Sequence, residues 1–274
     1  MTDELMKLRK QPHWSFSSLN GFVNCSLQWA FKYIYDKEQE NTPVALLFGS
    51  AFHRTAEWIA IGRQHGIYVT SEDSKEYFSY VWEDECKKAE NLYQTKENWE
   101  KLNITGQNIV ATLNQEWLED DILSVNQAFR VTLPGISKPL IGEIDLVVRD
   151  NIGNPILVDW KSAAKKWGLE KANNDLQATC FLYAWKQLYN WIPYFRYDVF
   201  TKTKVANYSQ HYTLRCESDF TRLIHLMKMV EKAVKAEVFL PNESSFFCNG
   251  CQYKSACRSW HVQSSKTIFI PQAA

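Results

Sequence analysis

Two short stretches of this sequence carry residue types that could do chemistry. In Ile141-Gly142-Glu143-Ile144-Asp145-Leu146-Val147-Val148 and in Ile156-Leu157-Val158-Asp159-Trp160-Lys161, apolar residues surround a few charged ones at strand-like spacing. Alternate side chains of a strand share a face. Glu143 and Asp145 are therefore expected opposite Ile144, Leu146 and Val148, and Asp159 and Lys161 opposite Val158 and Trp160. The run Asp150-Asn151-Ile152-Gly153-Asn154-Pro155 between them predicts a turn, hence a hairpin. Its charged face would gather two or three carboxylates and one ammonium, a costly group unless a cation or a partner neutralises it. Such hard oxygen ligands suit Mg²⁺ or Mn²⁺. A lysine two residues beyond a ligand can position or deprotonate a water and offset charge on a pentavalent phosphorane. The competing reading of Asp159 and Lys161 is an ordinary ion pair on a solvated hairpin.

A second cluster lies near the C-terminus, where Cys248, Cys251 and Cys257 follow the spacing C-x2-C-x5-C. Thiolates at this spacing favour zinc or an iron–sulfur cluster. His261, four residues after Cys257, could complete a local zinc site; Cys25, far upstream, could instead complete a centre that clasps the two ends of the chain. Spacing alone leaves both open. Cys86, Cys180 and Cys216 lack ligand spacing and read as small buried hydrophobes.

The elements that must position these groups follow from periodicity. Ser15 and Ser17 are candidate N-caps for a helix from Leu19 to Tyr35, and a second helix is expected from Ala51 to Ile61 after Gly49-Ser50. Residues from 72 to 124 read as one or two amphipathic helices. Strands are expected over Ala128–Leu133, Leu140–Val148 and Ile156–Lys161, then a helix over Asp175–Tyr189, and strands over Phe195–Thr201 and Ala206–Leu214. A long helix from Ser218 to Val238 would carry Phe220, Leu223, Met227, Val230 and Val234 on one stripe. Helices around a small central mixed sheet make this an α/β fold. The expected organisation is one domain over 1–274, with a mainly helical part (1–125), an α/β core (126–240) and a cysteine-rich segment (241–274).

Composition narrows the classes. Lys plus Arg equals Asp plus Glu at 31 each, so net charge points to no partner, and a nucleic-acid ligand would need a local basic patch. The first residues, MTDELMKLRKQPHW, lack the apolar core of a signal peptide, and no run approaches the ~20 apolar residues that span a bilayer. The expectation is a cytoplasmic protein without membrane association, in which clustered cysteines bind metal rather than form disulfides.

The string GEIDLVVRDNIGNPILVDWKSA resembles the core of the PD-(D/E)XK nuclease superfamily, in which an acid on one strand precedes D/E-x-K on the next; here these are Asp145 and Asp159-Trp160-Lys161. Further segments resemble its RecB-type branch, which includes the CRISPR-associated RecB-like exonucleases and the AddB nuclease domain. Phe48-Gly49-Ser50-Ala51-Phe52-His53 is similar to that branch's G-x-x-x-H helix start, and Gln177 with Tyr183 to its Q-x-x-x-Y helix, although Phe181 stands where the tyrosine is usual. Ser15, Ser17, Leu19, Phe22 and Cys25 are similar to its S-x-S-x-L-x-x-F-x-x-C opening.

The resemblance implies a restriction-endonuclease-like core. It implies that His53, Asp145, Asp159 and the Trp160 backbone carbonyl hold Mg²⁺ or Mn²⁺, that Lys161 acts on the water, and that Gln177 steadies the site. It implies a [4Fe-4S] cluster on Cys25, Cys248, Cys251 and Cys257, with Zn²⁺ on Cys248, Cys251, Cys257 and His261 as the alternative. Glu143 is expected to be solvated or to stand behind the ligands. Some of Lys165, Lys166, Lys171, Lys202 and Lys204 would meet phosphates. The implied activity is DNA exonuclease action on single strands or duplex ends, in recombination, repair, phage replication or CRISPR adaptation. The rival class is a metal-stapled DNA-binding or adaptor protein with a vestigial or complex-dependent site.

Overall fold

In the computed structural model, which describes residues 2–88, 96–117, 121–168, 170–203, 205–245 and 248–266, the chain opens on a short helix, α1 (Asp3–Arg9), and a two-residue strand, β1 (Trp14–Ser15). Ser15 then caps the next helix, its Oγ accepting the Ser18 amide at 3.1 Å. The single helix expected to reach Tyr35 is two, α2 (Phe16–Asn24) and α3 (Ser26–Tyr33). Cys25 separates them in an extended conformation (φ −162°, ψ 100°). Its N–H still bonds the Gly21 carbonyl, at 3.0 Å, so the break re-aims the chain with that donor satisfied.

Helix α4 (Val44–Gln64) begins at the Pro43 cap rather than at Gly49, because Val44, Leu47 and Phe48 extend the buried stripe of Ala51, Phe52, Ala56 and Ile59 by two turns. Helices α5 (Ser71–Lys88) and α6 (Lys96–Glu116) follow. The helical pattern read as far as residue 124 stops earlier: Asp121 already starts β2 (Asp121–Val131), which is drawn into the sheet by antiparallel pairing along β3 (Leu140–Arg149).

The hairpin forms as expected. β3 pairs antiparallel with β4 (Pro155–Ala163), and the Asp150 carboxylate holds the turn by accepting the Ile152 and Asn154 amides at 3.0 and 2.7 Å. Gly153 takes φ +94° there, which only glycine adopts without strain. The chain crosses over through α7 (Lys171–Asn174) and α8 (Leu176–Tyr189) to β5 (Tyr194–Thr201), parallel to β4, and returns as β6 (Tyr208–Thr213). Helix α9 (Glu217–Lys235) follows, and α10 (Lys254–Lys266) carries the end of the cysteine segment.

The mixed sheet is buried on both faces. On one side Leu157, Phe195, Tyr197 and Val199 pack with α2, α3, α8 and α9. On the other, Val158, Trp160 and Phe200 pack with α4, α5 and α6. That second face also buries the Arg196–Asp198 ion pair (Nε to Oδ1, 2.9 Å) beside the Trp117 indole N–H, an arrangement that strand periodicity alone does not announce. Cys216 is exposed rather than buried, because it occupies the cap position of α9. No helix among the described residues is long and apolar enough to cross a membrane.

One polar anchor ties α9 to the start of the sheet. The buried Glu231 carboxylate accepts the Ser137 amide at 3.0 Å, the Ser137 hydroxyl at 2.6 Å and the Trp14 indole N–H at 3.2 Å. Burial pushes its pKa up, but the Ser137 and Trp14 bonds pull it further down, below the ordinary glutamate value. Such a group adds stability above the ordinary carboxylate range and loses it as pH falls through the lowered folded-state value. Glu231→Gln is therefore expected to lose about 1–3 kcal/mol at neutral pH in urea denaturation, with the gap from the parent closing in acid. A gap that persists unchanged in acid would show that the charge is irrelevant.

Candidate active site

The site lies where β3 lacks a neighbour. β2 runs along one edge of β3; the other edge carries β1 at Leu140 and Ile141 and β4 from Leu146 to Arg149. Between them, Gly142 to Asp145 pair with neither, and a cavity of about 360 Å³ opens there. The expected alternation also breaks at this point. Ile144 packs in the α8 and α9 layer, whereas Leu146 and Val148 pack in the α4 layer, so these three do not share a face. The β2 residue between those opposite Leu146 and Ile144 is Asn126, held at φ +51°. Asn126 thus stands opposite Asp145 in a left-handed conformation, and Asp145 lines the cavity. Gly142 is required for a different reason: a Cβ would sit 2.5 Å from Phe129 Cζ.

Asp145 bridges the diverging strands. Its Oδ2 accepts the Trp160 amide at 3.0 Å and lies 3.3 Å from His53 Nδ1, which α4 supplies. Asp159, 2% exposed, has Lys161 Nζ 2.5 Å from its Oδ2, and Oδ1 accepts from Gln177 Nε2. Lys161 also donates to Gln177 Oε1 at 2.8 Å, which closes an Asp–Lys–Gln triangle. Gln177 is placed by Asp175, the α8 cap, whose Oδ1 accepts the Gln177 amide at 2.8 Å. The Tyr197 ring lies beneath the ammonium at 5.9 Å, a support with no signal in the motif pattern.

The electrostatics follow from this crowding. Enclosure lowers the His53 pKa, but the Asp145 charge and hydrogen bond outweigh it and the net shift is upward. Burial raises Asp145, yet His53, Lys161 and the Trp160 amide bring it below the ordinary aspartate value. Burial pushes Asp159 up to about 6, against the pull of Lys161 and with help from the Asp145 charge. Lys161 is lowered by burial and raised further by Asp159 and Asp145, so it stays an ammonium. A fixed cation is suited to orienting and stabilising a charged group rather than to acting as a base.

His53, Asp145, Asp159, Lys161, Gln177 and Glu143 all line this one cavity. Glu143 is engaged rather than solvated: its carboxylate accepts the Thr2 amide at 2.9 Å and the Thr2 hydroxyl, which holds the start of α1 against β3. Tyr183 is not brought to the cavity. It is buried against Phe220 and its hydroxyl donates to the Thr132 carbonyl at 3.3 Å. Phe181, four residues after Gln177 and therefore on its face of α8, lines the cavity in its place. Arg9 lines it too, from α1, a placement without sequence signal. Trp160 packs against Trp117, with ring centroids 5.0 Å apart. Lys165 and Lys166 are exposed, Lys171 lies over Trp167 and Lys202 over Phe48. Lys204 lies outside the described residues.

Among the described residues no group of three His, Cys, Asp or Glu side chains is already disposed to hold a metal ion. The donor set nevertheless suits a hard divalent cation. Asp159 Oδ2 is buried with the Lys161 ammonium as its ion-pair partner, and the Asp145 carboxylate and His53 imidazole line the same cavity.

The cysteines converge at the far end of α2. Cys25, Cys248, Cys251 and Cys257 line one cavity of about 300 Å³, together with Lys254 and Arg258. Burial raises Cys251 and Cys257 above the ordinary thiol value, and the neighbouring cysteines add to this. Four cysteine thiols around one cavity are a donor set suited to a soft or borderline cation. The two ends of the chain are also laced by hydrogen bonds: Leu27 N–H to the Leu240 carbonyl at 3.2 Å, the Asn242 amide to the Asn24 carbonyl at 2.9 Å, and Ser255 N–H to Glu40 at 2.7 Å. His261 lies in α10, with its side chain outside the described part.

An acid on one strand, D-x-K on the next and a glutamine from the following helix thus meet in one cavity on a mixed α/β sheet. The family model of the PD-(D/E)XK nuclease superfamily matches residues 13–258, and the chain belongs to that superfamily. Members are nucleases, which cleave phosphodiester bonds. Among solved structures, that of a candidate exonuclease from Eubacterium rectale is similar over 91% of this chain and 92% of its own, with TM-score 0.55 and 14% identity, a likeness of fold. The structure of SSO0001 is similar over 78% of this chain and 95% of its own, with 10% identity and TM-score 0.40, too low to carry an argument. No curated protein matches the sequence.

Proposed function

We propose that this chain is a Mg²⁺- or Mn²⁺-dependent DNA exonuclease of the RecB-type iron–sulfur branch, acting on single strands or duplex ends. The observation that carries the reading is the meeting of Asp145, His53, Asp159, Lys161 and Gln177 in one cavity, at the stretch of β3 that neither β1 nor β4 pairs. Asp145, Asp159, His53 and the Trp160 carbonyl would hold the ion, which when bound supplies Lewis acidity and an activated water. Lys161, kept charged, orients the water by donation and offsets charge gathering on the phosphoryl oxygens. Gln177 fixes Lys161 and Asp159 relative to one another. Products would carry a 5′-phosphate and a 3′-hydroxyl. Cys25, Cys248, Cys251 and Cys257 would hold a [4Fe-4S] cluster that supports the fold, in a cytoplasmic protein serving recombination, repair, phage replication or CRISPR adaptation.

The test is a cleavage assay on anaerobically purified protein with end-labelled single-stranded and duplex DNA in Mg²⁺ or Mn²⁺. The expected result is metal-dependent degradation abolished by EDTA. Binding without cleavage in either metal would make the protein a metal-stapled adaptor instead. Gln177→Ala is expected to lower kcat about 10–100-fold, the usual cost of losing a group that orients metal-site residues. Undiminished turnover would remove Gln177 from the site.

A further inference from the structure

A groove of about 360 Å³ adjoins the catalytic cavity, and Arg9 and Ser15 line both. Its cations are Arg9, Lys10 and Lys138, and no Asp or Glu among the described residues lines it. In a chain whose acidic and basic residues balance, 31 against 31, a one-sign groove opening from the active site is a local feature and not a reflection of overall charge. Its wall carries Tyr33, 46% exposed, whose ring packs at a tilt on Trp29 with centroids 5.3 Å apart. Lys32 approaches the same ring at 5.1 Å, and Lys138 lies 5.8 Å from the buried Trp14 ring.

We infer that this groove is the track for one strand of single-stranded DNA leaving the metal site, with its phosphates on Arg9, Lys10 and Lys138 and a base on Tyr33. The inference rests on the nuclease reading above and assigns it a substrate path. Charge complementarity selects a polyanion. The exposed ring selects a strand whose bases are free to stack, since a duplex offers its phosphates and hides its base faces. A cleft of these dimensions takes a ligand of nucleotide size. Continuity is provided by Ser15 and Arg9, which border the catalytic cavity on one side and the groove on the other. Trp14, and with it β1, is anchored by Glu231, so the floor of the groove is held by the sheet.

The experiment is fluorescence anisotropy of the 274-residue chain in EDTA with a labelled oligothymidylate about a dozen nucleotides long, within the span of single-strand binding sites. Tyr33→Ala is expected to weaken binding about tenfold, the loss of one stacked base. Lys138→Ala is expected to weaken it less and to reduce the salt slope, d log K/d log [salt], by about 0.7, the loss of one phosphate contact. Lys87→Ala, on α5 in the opposite layer, should match the parent in both. Tyr33→Ala and Lys138→Ala proteins that melt and bind like the parent overturn the track. If the parent cleaves DNA while neither variant alters binding, the groove fails and the nuclease reading stands. If binding depends on the groove but no metal supports cleavage, the track stands and the nuclease reading fails.

Discussion

Lys161→Ala is expected to lower kcat for DNA cleavage by about 10²–10³-fold, the cost of removing one positioned donor from a site where phosphoryl charge develops. Lys161 holds three relations at once: the ion pair to Asp159 at 2.5 Å, donation to Gln177 at 2.8 Å, and the Tyr197 ring at 5.9 Å. Its loss leaves a nearly fully buried carboxylate without its cation, which is costly in a protein interior. The metal-free variant should therefore melt below the parent, and Mn²⁺ should recover more of the difference in the variant than in the parent. Steady-state cleavage paired with melting in EDTA and in Mn²⁺ reads both effects. A variant that cleaves at the parental rate would show that Lys161 is only the partner of Asp159.

The second large effect is expected at Cys25. Cys25→Ala should abolish the visible absorbance of an iron–sulfur cluster in anaerobically purified protein. It should also lower Tm by more than about 10 °C, since a bound metal centre contributes its binding free energy to folding and each kcal/mol shifts Tm by a few degrees at this size. Cleavage would fall as a consequence, because α2, which Cys25 terminates, begins at the cap residue Ser15, and Ser15 borders the catalytic cavity. The comparison that decides between ligand sets is His261→Ala. With a cluster on four cysteines it should leave colour and Tm near the parent's; a colourless protein holding one zinc, lost on His261→Ala, would overturn the cluster.

Both predictions concern residues marked by type and spacing, and that marks what local pattern can carry. The hairpin was legible because Asp150 to Pro155 is turn chemistry between two apolar runs, and the Asp159–Lys161 pairing because residues two apart on a strand share a face. The buried stripe of α9 and the position of Gln177 at the start of α8 followed from helical periodicity. Where the elements differ from what local pattern predicts, a non-local contact takes precedence. Asp121 to Ser124 form strand rather than helix because β3 offers an edge to pair with, and α4 starts early because the α5 and α6 layer buries Val44 and Leu47.

The chemical inventory is local: two aspartates and a lysine at strand spacing and cysteines at metal-ligand spacing, with a histidine and a glutamine on helices marked by the family resemblance. Their meeting place depends on how separate elements pack. Two strands, β1 and β4, share one edge of β3 and leave Gly142 to Asp145 open between them, and Asp145 lines the cavity at that opening. Helical phase brought Phe181 rather than Tyr183 to the cavity, and α1 carried Arg9 across to join the site to the groove of Tyr33 and Lys138. The reason is physical. Periodicity records which face of an element meets the core, whereas a gap in a sheet depends on where separate strands stop, which no single segment encodes.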